Sequence, residues 1–348
     1  MKTETLEDLK SRWTQLQIEQ PKLRIRDAAR ELGVSEVELL ATNCGDHVRR
    51  LHGPWDVLLK EFSNLGHVMC LTRNEAAVHE RHGHFRQTEF FHGMGQVVGP
   101  DIDLRLFLSH WHLGFSVIDQ TPDGPRQSFQ FFDQDGTAIH KVYLQNDSNH
   151  ALFEQLTTRH LHEDQGTGQV VIPLPDARPD KPDSEIDIPA FQTAWAAMQD
   201  THEFFALTRK FGAGRLQSLR LAAHEMARQV SAIGGRQAIE LAAAQHVPIM
   251  IFVGSVGTIQ IHTGQVNNLK SFGPWFNILD EEFNLHLRQD LVAQVWVVRK
   301  PTRDGNVTSI ELYDEAGENI ALIFGKRKPG ELEDPAWREI VRTIEEGA

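Results

Sequence analysis

Residues 104–124, LRLFLSHWHLGFSVIDQTPDG, return 181 positions later as residues 285–305, LHLRQDLVAQVWVVRKPTRDG. The match extends without a gap over residues 67–144 and 248–325, where 13 of the 78 aligned pairs are identical. The shared glycines fall where turns are predicted, as in TPDG and TRDG, and chance matches would not be placed in this way. The repeat indicates that the chain contains two copies of one structural unit.

Each copy has the pattern of a β-sheet preceded by helices. Short apolar or alternating runs such as HVMCL, AAVHER, DLRLF, GFSVI and SFQFF are separated by Gly, Pro, Asn and Asp, which is typical of strands joined by turns. Helical patterns precede them at DAARELGVSEVELLA and VLLKEFSNL, and again at LQSLRLAAHEMARQVSAI and RQAIELAAAQ. We therefore predict an α+β fold made by tandem duplication, in which each half is a large, mainly antiparallel β-sheet flanked by helices.

The domain boundary is predicted from proline content. Residues 163–190 hold 5 of the 15 prolines of the chain, which is typical of a linker. The predicted organisation is an N-terminal repeat (1–162), a Pro-rich linker (163–190) and a C-terminal repeat (191–348).

Composition excludes several classes of protein. A formal net charge of −13 argues against nucleic-acid binding, and two cysteines exclude a disulfide framework or a four-thiolate metal site. No apolar run approaches the roughly 20 residues of a membrane span, and the amino terminus has the pattern of a charged helix. We expect a cytoplasmic protein without membrane insertion.

One motif points towards DNA. Residues 26–41, RDAARELGVSEVELLA, have the pattern of a helix-turn-helix, which leaves a transcriptional regulator as a remote alternative. The second helix would carry Glu36 and Glu38, which would repel phosphate. A structural helix pair is therefore the favoured interpretation.

Histidine is unusually common, with 18 residues against 2 tyrosines. HERHGH carries His79, His82 and His84 around a predicted turn, and His110 and His112 are two apart on a predicted strand, where both could bind one ion. Solvent-exposed side chains are the favoured interpretation for both clusters.

His202 has different surroundings. Phe191, Trp195, Met198, His202, Phe205 and Arg209 follow steps of four and three, the pattern of one helical stripe. Alternatively, Asp200 caps a new helix and His202 lies in its first turn. A histidine on an apolar face is usually a core residue. Haem, however, needs one axial nitrogen, an apolar slot and cations for two propionates, and His202, the stripe and the basic segment Arg209, Lys210 and Arg215 offer all three.

The whole chain resembles the bacterial haem-utilisation family of hemin-degrading factors, or cytoplasmic haem-transport proteins. The resemblance is carried by the duplication, PKLRIRDAARELGVSEVELLAT, IDLRLFLSHWHLGF and DTHEFF. It implies that haem is held between two similar halves. It also implies a site residue set with these roles: His202 as axial ligand, Arg105 on the opposite face of the haem, Phe252 as an apolar wall, and Lys300 and Arg215 near the propionates.

The resemblance implies a cytoplasmic haem-binding protein that takes haem from an inner-membrane ABC importer and delivers it for iron release, with a haem oxygenase downstream. The alternative is an enzyme that opens the porphyrin ring oxidatively. Leu322 and Phe324 stand where the family pattern has a Gln-x-Tyr pair, so two polar groups beside the haem are missing. Their replacement weakens the inference to catalysis.

Overall fold

The computed structural model describes residues 6–175, 179–327 and 330–347. It divides into two compact units, each of which includes a short segment of the opposite repeat. The N-terminal unit consists of Met1–Arg73, Glu80–Pro175 and Ser255–Gln260. The C-terminal unit consists of Asn74–His79, Asp176–Gly254 and Ile261–Ala348.

The first half of the chain forms helices and strands with these bounds: α1 (Leu6–Glu19), α2 (Ile25–Leu32), α3 (Glu36–Ala41), β1 (Val48–Leu51), α4 (Trp55–Lys60), β2 (His67–Arg73), β3 (Ala77–His84), β4 (Gln87–Phe91), β5 (Met94–Val98), β6 (Leu104–Phe107), β7 (Leu113–Thr121), β8 (Gly124–Phe132), β9 (Ala138–Leu144) and α5 (His150–Arg159).

The second half continues with α6 (Ile188–Ala196), α7 (Glu203–Phe211), α8 (Arg215–Leu221), β10 (Ala227–Val230), α9 (Gly234–Ala244), β11 (Ile249–Gly254), β12 (Thr258–Gly264), β13 (Leu269–Phe272), β14 (Trp275–Leu279), β15 (Phe283–Arg288), β16 (Gln294–Thr302), β17 (Gly305–Tyr313), β18 (Asn319–Gly325) and α10 (Pro335–Glu346). Strands β2–β9 match β11–β18 one to one, which confirms the predicted tandem duplication and α+β class.

Antiparallel pairing organises the N-terminal unit. Its main strands follow the order β1-β7-β8-β9-β2-β3, and β4, β5 and β6 form a second antiparallel array. Thr258–Gln260 pair with β6. The Gly257 carbonyl accepts hydrogen bonds from the backbone N–H of Phe107 and from Trp111 Nε1, each at 2.9 Å. A piece of the second repeat is therefore a structural part of this unit.

The C-terminal unit repeats the arrangement. Its main strands follow the order β10-β16-β17-β18-β11, and β13, β14 and β15 pair antiparallel. Helices cover both faces of the main strands. On one face α9 and α10 pack through Ile239 and Trp337, and on the other α6–α8 pack through Trp195 and Leu219. This sheet is buried on two sides because each strand carries apolar side chains on both faces.

The matched turns have matched geometry. Thr121 Oγ1 and Thr302 Oγ1 each donate to the carbonyl of the glycine three residues on, at 2.7 Å. Gly124 and Gly305 have φ of 112° and 102°, a region that favours glycine. The identical TPDG and TRDG glycines are therefore explained by backbone conformation.

One of the four helical patterns that precede the strands departs clearly from its prediction. The segment LQSLRLAAHEMARQVSAI was predicted as one helix, but its helical part, α8, ends at Leu221. Residues Ala227–Val230 of the same segment form strand β10, which pairs with β16. Tertiary pairing overrides the local helix propensity there. Among the described residues, no helix is long and apolar enough to cross a bilayer.

The predicted helix-turn-helix segment forms a compact pair, α2 and α3, joined at Gly33. Ser35 and Glu38 form a capping box at the start of α3. Glu36 is buried and ion-paired with Lys141 of β9. This contact ties α3 into the N-terminal unit and supports the structural interpretation.

The predicted linker begins as an ordered segment. The Arg50 guanidinium donates to the carbonyls of Asp164 at 2.6 Å and Gly168 at 2.7 Å, and to Gln169 Oε1 at 3.2 Å. A short 3-10 turn at Asp183–Glu185 precedes α6. Residues 176–178 of the proposed linker lie outside the described residues.

A buried carboxylate, Glu311 on β17, organises the charges of the C-terminal unit. Its Oε1 accepts hydrogen bonds from Lys300 Nζ at 2.8 Å and Ser309 Oγ at 2.9 Å. Its Oε2 accepts from Arg215 Nη2 at 2.9 Å and from the Tyr313 hydroxyl at 2.6 Å. Ser309, Lys300 and Tyr313 are buried as well, so the cluster lies within the core.

The pKa values in this cluster follow from burial and charge. Burial alone would raise the pKa of Glu311, but Arg215 and Lys300 lower it well below its usual range. Burial lowers the pKa of Lys300, and its attraction to Glu311 offsets this only in part, since Arg215 is also near. Glu311 is therefore ionised at neutral pH, and its charge is balanced inside the protein.

The equivalent position in the first repeat is Gln130, a neutral residue. Its Nε2 donates to Ser128 Oγ at 3.0 Å, and the residue equivalent to Lys300 is Asp119. The ionic cluster is therefore a property of the second repeat alone.

We expect Glu311→Ala to lower the free energy of unfolding by about 3–5 kcal/mol, because it leaves Lys300 buried without a counter-charge. Urea denaturation at pH 7 measures this. Since the folded pKa of Glu311 is lower than the unfolded one, its stabilisation is present above about pH 4.3 and is lost as pH falls below it.

Glu339→Ala is the matched control, because Glu339 is paired with Arg342 on the exposed side of α10. Its denaturation midpoint should stay close to that of the wild type, since exposed ion pairs contribute little. Equal losses in the two variants would contradict the role assigned to Glu311.

Candidate functional site

His202 lies at a break between two helices. Helix α6 ends at Ala196 and α7 begins at Glu203, so the predicted continuous stripe from Phe191 to Arg209 is wrong. The stripe residues Phe191, Trp195 and Met198 are buried, but the His202 side chain is 93% exposed. The alternative prediction, a new helix after Asp200 with His202 in its first turn, is close to the structure.

Asp200 causes this break. Its Oδ1 accepts the backbone N–H of His202 at 2.8 Å, and its carbonyl accepts the N–H of Glu203 at 3.1 Å. Aspartate readily bonds to the backbone two residues on, and such bonds compete with the helical ladder. A turn therefore separates the two helices and exposes His202.

The same carboxylate orients the imidazole. Asp200 Oδ1 lies 2.6 Å from His202 Nδ1. Two hydrogen bonds lower the pKa of Asp200: the larger effect comes from the His202 backbone N–H and the smaller from its imidazole. An ionised carboxylate only accepts hydrogen bonds, so Nδ1 is the donor and Nε2 carries the lone pair. A histidine held in this way is the usual arrangement of a metal ligand with an outer carboxylate.

Helix α7 connects His202 to the Glu311 cluster. Phe204 is buried, and its ring centroid lies 4.6 Å from Lys300 Nζ and 5.6 Å from the Arg215 guanidinium carbon. Arg215 donates through Nε and Nη2, and within the described residues its Nη1 has no hydrogen bond. The Arg215 side chain is 38% exposed, whereas Lys300 is only 6% exposed. Arg215 is thus a cation held in place by Glu311, and its Nη1 is still able to donate a hydrogen bond. Lys300 is a buried cation.

The outer face of α7 carries an aromatic ring and a cation. Phe205 is 70% exposed, and Arg209, one turn further on, is exposed too. Both follow His202 at helical spacing. The side chains of His202, Phe205 and Arg209 therefore follow one another along the exposed face of α7.

Phe252 belongs to an apolar part of the same unit. It lies directly opposite Leu322 in the β11–β18 pair, and its ring centroid is 5.0 Å from that of Phe324. All three side chains are half-buried. Leu322 and Phe324 therefore extend an apolar face around Phe252, at the positions where the sequence pattern led us to expect two polar groups.

Arg105 lies on β6 in the N-terminal unit. Its guanidinium is paired with the Asp103 carboxylate and donates to the Leu104 carbonyl at 3.0 Å. Burial raises the pKa of Asp103, and Arg105 partly offsets this. The Arg105 side chain is 39% exposed, so it can also reach a ligand from solvent.

His110 and His112 do not share a strand. His110 ends the 3-10 turn Leu108–His110, and His112 precedes β7. Both Nδ1 atoms contact the fully buried Asp133 carboxylate, at 3.1 and 2.9 Å. The prediction of two strand histidines aimed at one ion is therefore wrong in its geometry.

HERHGH also differs from expectation, because the motif lies within β3 and contains no turn. His79 is buried, His82 is half-buried and His84 is exposed. His140, His160 and His262 are buried as well. Solvent exposure therefore explains many of the described histidines but not these four buried ones.

Two acidic partners of histidines were not predicted from the sequence. Asp200 was expected only as a helix cap, and its bond to the His202 imidazole was missed although it stands two residues away. Asp133 is 23 residues from His110 and 21 from His112. No local pattern joins them, since the contact depends on how the strands pair.

Comparison with known proteins identifies relatives over the whole chain. The family model described as the haemin-degrading HemS.ChuX domain matches residues 33–160 and 212–344. The hemin transport protein HmuS of Yersinia pestis is 34% identical over 337 residues, covering 97% of each chain.

Solved structures give the same result. Holo-PhuS, a heme-binding protein from Pseudomonas aeruginosa, has 44% sequence identity and a TM-score of 0.95, covering 98% of this chain and 99% of that one. The Escherichia coli O157:H7 heme degrading enzyme ChuS has 34% identity and a TM-score of 0.90, with the same coverage. The duplicated fold and the matches in both repeats show that this chain belongs to the haemin-degrading HemS/ChuX family.

Proposed function

We propose that this chain binds haem with Nε2 of His202 as an axial ligand to the iron, and passes the haem to an acceptor that releases the iron. The observation that carries the proposal is the Asp200–His202 pair, an exposed imidazole whose other nitrogen is held at 2.6 Å by a carboxylate. The names of HmuS and PhuS, which refer to hemin transport and heme binding, support haem as the ligand.

Residues of the same unit as His202 suit an amphipathic ligand. We assign the two propionates to Arg209 and Arg215, because both are cationic and accessible. Phe252 is the proposed apolar wall. Lys300 has its Nζ bonded to Glu311, so we propose that it acts by positive charge from within the core.

The delivery role fits a single histidine ligand whose side chain is exposed to solvent. The proposed source is an inner-membrane ABC importer and the proposed acceptor a haem oxygenase, both in or facing the cytoplasm. We propose these partners on the resemblance to the family, and we assign no nucleic-acid partner to a chain with a net charge of −13.

We expect His202→Ala to lose or shift the Soret band in a visible-absorption titration of the apo-protein with haem, because the axial nitrogen is removed. His224→Ala is the matched control, since His224 is an exposed histidine of the same unit. It should titrate like the wild type.

Arg105→Ala keeps the axial ligand and should retain the Soret band while exchanging exogenous ligands differently. An unchanged spectrum in His202→Ala would refute the ligand assignment and leave the other exposed histidines to be tried. An unchanged ligand exchange in Arg105→Ala would refute its proposed contact with haem.

We expect Asp200→Asn to weaken haem binding by about 10–100-fold, the usual contribution of an outer carboxylate to a histidine ligand. The Soret maximum should remain, because the imidazole is still present. Asp183→Asn, an exposed aspartate of the same unit paired with Arg220, is the control. Equal affinities for the two variants would contradict a role for Asp200 at the ligand.

Haem degradation is the second candidate function, and the description of ChuS as a heme degrading enzyme and a heme oxygenase favours it. A single histidine ligand leaves one axial position of the iron for a second reactant, and bound haem would supply the oxidative chemistry. Against this, Leu322 and Phe324 surround Phe252 with apolar groups and hold no proton to transfer.

We expect the loaded protein, given a reductant and catalase, to keep its porphyrin intact and to surrender haem to an acceptor. Pigment analysis and an iron chelator measure the outcome. A defined linear tetrapyrrole with stoichiometric iron release in the presence of catalase would establish the enzyme instead. Product that forms only when catalase is omitted would leave the transport proposal standing.

A further inference from the structure

The Tyr313 hydroxyl lies between the two charged groups Arg215 and Glu311. It accepts a hydrogen bond from Arg215 Nε at 2.9 Å and donates one to Glu311 Oε2 at 2.6 Å. Arg215 Nη2 donates to the same carboxylate oxygen at 2.9 Å, and Arg215 Nε also donates to it at 3.2 Å. One edge of the guanidinium is therefore held by two groups, a carboxylate and a hydroxyl.

The direction of each hydrogen bond in this cluster is fixed. Burial, and then the charge of Glu311, raise the pKa of Tyr313 above its usual range, so the phenol keeps its proton at neutral pH. A carboxylate only accepts hydrogen bonds, so the O–H of Tyr313 points to Glu311 and a lone pair of its oxygen remains for Arg215 Nε. The Tyr313 hydroxyl therefore connects the anion to the cation.

The opposite edge of the Arg215 guanidinium is available to a ligand. Within residues 6–175, 179–327 and 330–347, Nη1 has no hydrogen-bond partner, and the side chain is 38% exposed. Two N–H groups along an edge of a guanidinium match the spacing of the two oxygens of a carboxylate. A carboxylate that arrives from solvent therefore meets a cation that is already oriented.

The fold does not require the oxygen of Tyr313. The equivalent residue of the first repeat is Phe132, which is fully buried on β8 as Tyr313 is on β17. The Phe132 ring packs edge-on against that of Phe115 at 5.9 Å. An aromatic ring therefore satisfies the sheet at this position. The hydroxyl is present in the repeat that also carries Glu311, whose equivalent in the first repeat is Gln130.

We propose that Tyr313 is a positioning residue, whose hydroxyl orients Arg215 for a carboxylate of the ligand and thereby favours a porphyrin with free propionates. The inference rests on the proposed function, because the ligand is the haem assigned there to His202 and Arg215. Tyr313 has no exposed surface, so it acts on a ligand only through Arg215. Phe204, two residues after His202, has its ring centroid 5.6 Å from the guanidinium carbon and connects the two residues within one unit.

The test compares haem with its dimethyl ester, in which both propionates are esterified and uncharged. Visible-absorption titration of the full-length apo-protein gives a dissociation constant for each ligand. Tyr313→Phe removes one oxygen atom and should weaken haem binding by about three- to tenfold, the contribution of one hydrogen bond. The Soret maximum with haem and the affinity for the ester should stay at their wild-type values.

Tyr143→Phe is the matched control, because Tyr143 is the other tyrosine of the chain and lies in the N-terminal unit. It should bind haem and the ester like the wild type. The circular dichroism spectrum of Tyr313→Phe should match that of the wild type, so that a change in affinity does not report on unfolding.

A second variant, Arg215→Gln, tests whether the hydroxyl acts through the guanidinium. In that background Tyr313→Phe should change haem affinity no further, because the group that it orients is absent. Three results would each overturn the inference: wild-type haem affinity in Tyr313→Phe, an equal loss of affinity for haem and ester, or the same loss with and without Arg215.

A measurement on the haem-free protein separates this inference from the proposed function. The NMR signal of the Arg215 Nε–H, identified by its loss in Arg215→Gln, should exchange with solvent faster in Tyr313→Phe, because one of its two acceptors is removed. Equal exchange rates would refute the positioning role even in a protein that binds haem. Failure of the wild type to bind haem would refute the proposed function, and the selectivity for free propionates with it.

Discussion

Glu311 determines how the positive charges of the C-terminal unit are arranged. Its carboxylate has no access to solvent and accepts hydrogen bonds from Lys300, Arg215, Tyr313 and Ser309. A buried charge is tolerated only with such partners. The charge of Lys300 is balanced by Glu311 inside the core. Arg215 is bonded through Nε and Nη2, which leaves its Nη1 available as a donor. The same interaction therefore stabilises the sheet and holds Arg215 as a rigid, partly exposed cation.

The two repeats share their strands and turns but differ in the polar and charged side chains that these strands carry. Turn residues such as Gly124 and Gly305 have the same backbone conformation in both repeats, since the hairpins need it. The buried position of Glu311 is Gln130 in the first repeat, and the histidines of β2 and β3 have no counterparts in the second. Each repeat has thus acquired its own polar groups on strands that fold by the same apolar pattern.

Strands and turns were predictable because their signals are local. Short apolar or alternating runs located β2, β3, β6, β7 and β8, the repeat indicated their counterparts in the second half, and the fold class followed from them. The continuous helical stripe through His202 was wrong, because the backbone turns at Asp200, whereas the alternative of a new helix after Asp200 was close to the structure. Asp133 and His110 come together through strand pairing, which spacing along the chain does not encode.

Each unit is completed by residues from the opposite repeat. The Gly257 carbonyl bonds Phe107 and Trp111, and Thr258–Gln260 extend the β6 array, so the N-terminal unit lacks part of its hydrogen bonding until residue 260 has been synthesised. Domains usually fold as they emerge, the N-terminal one first. Residue 260 lies about 100 residues beyond the proposed linker's start, so we expect the first unit to complete its hydrogen bonding only after much of the second repeat has been synthesised.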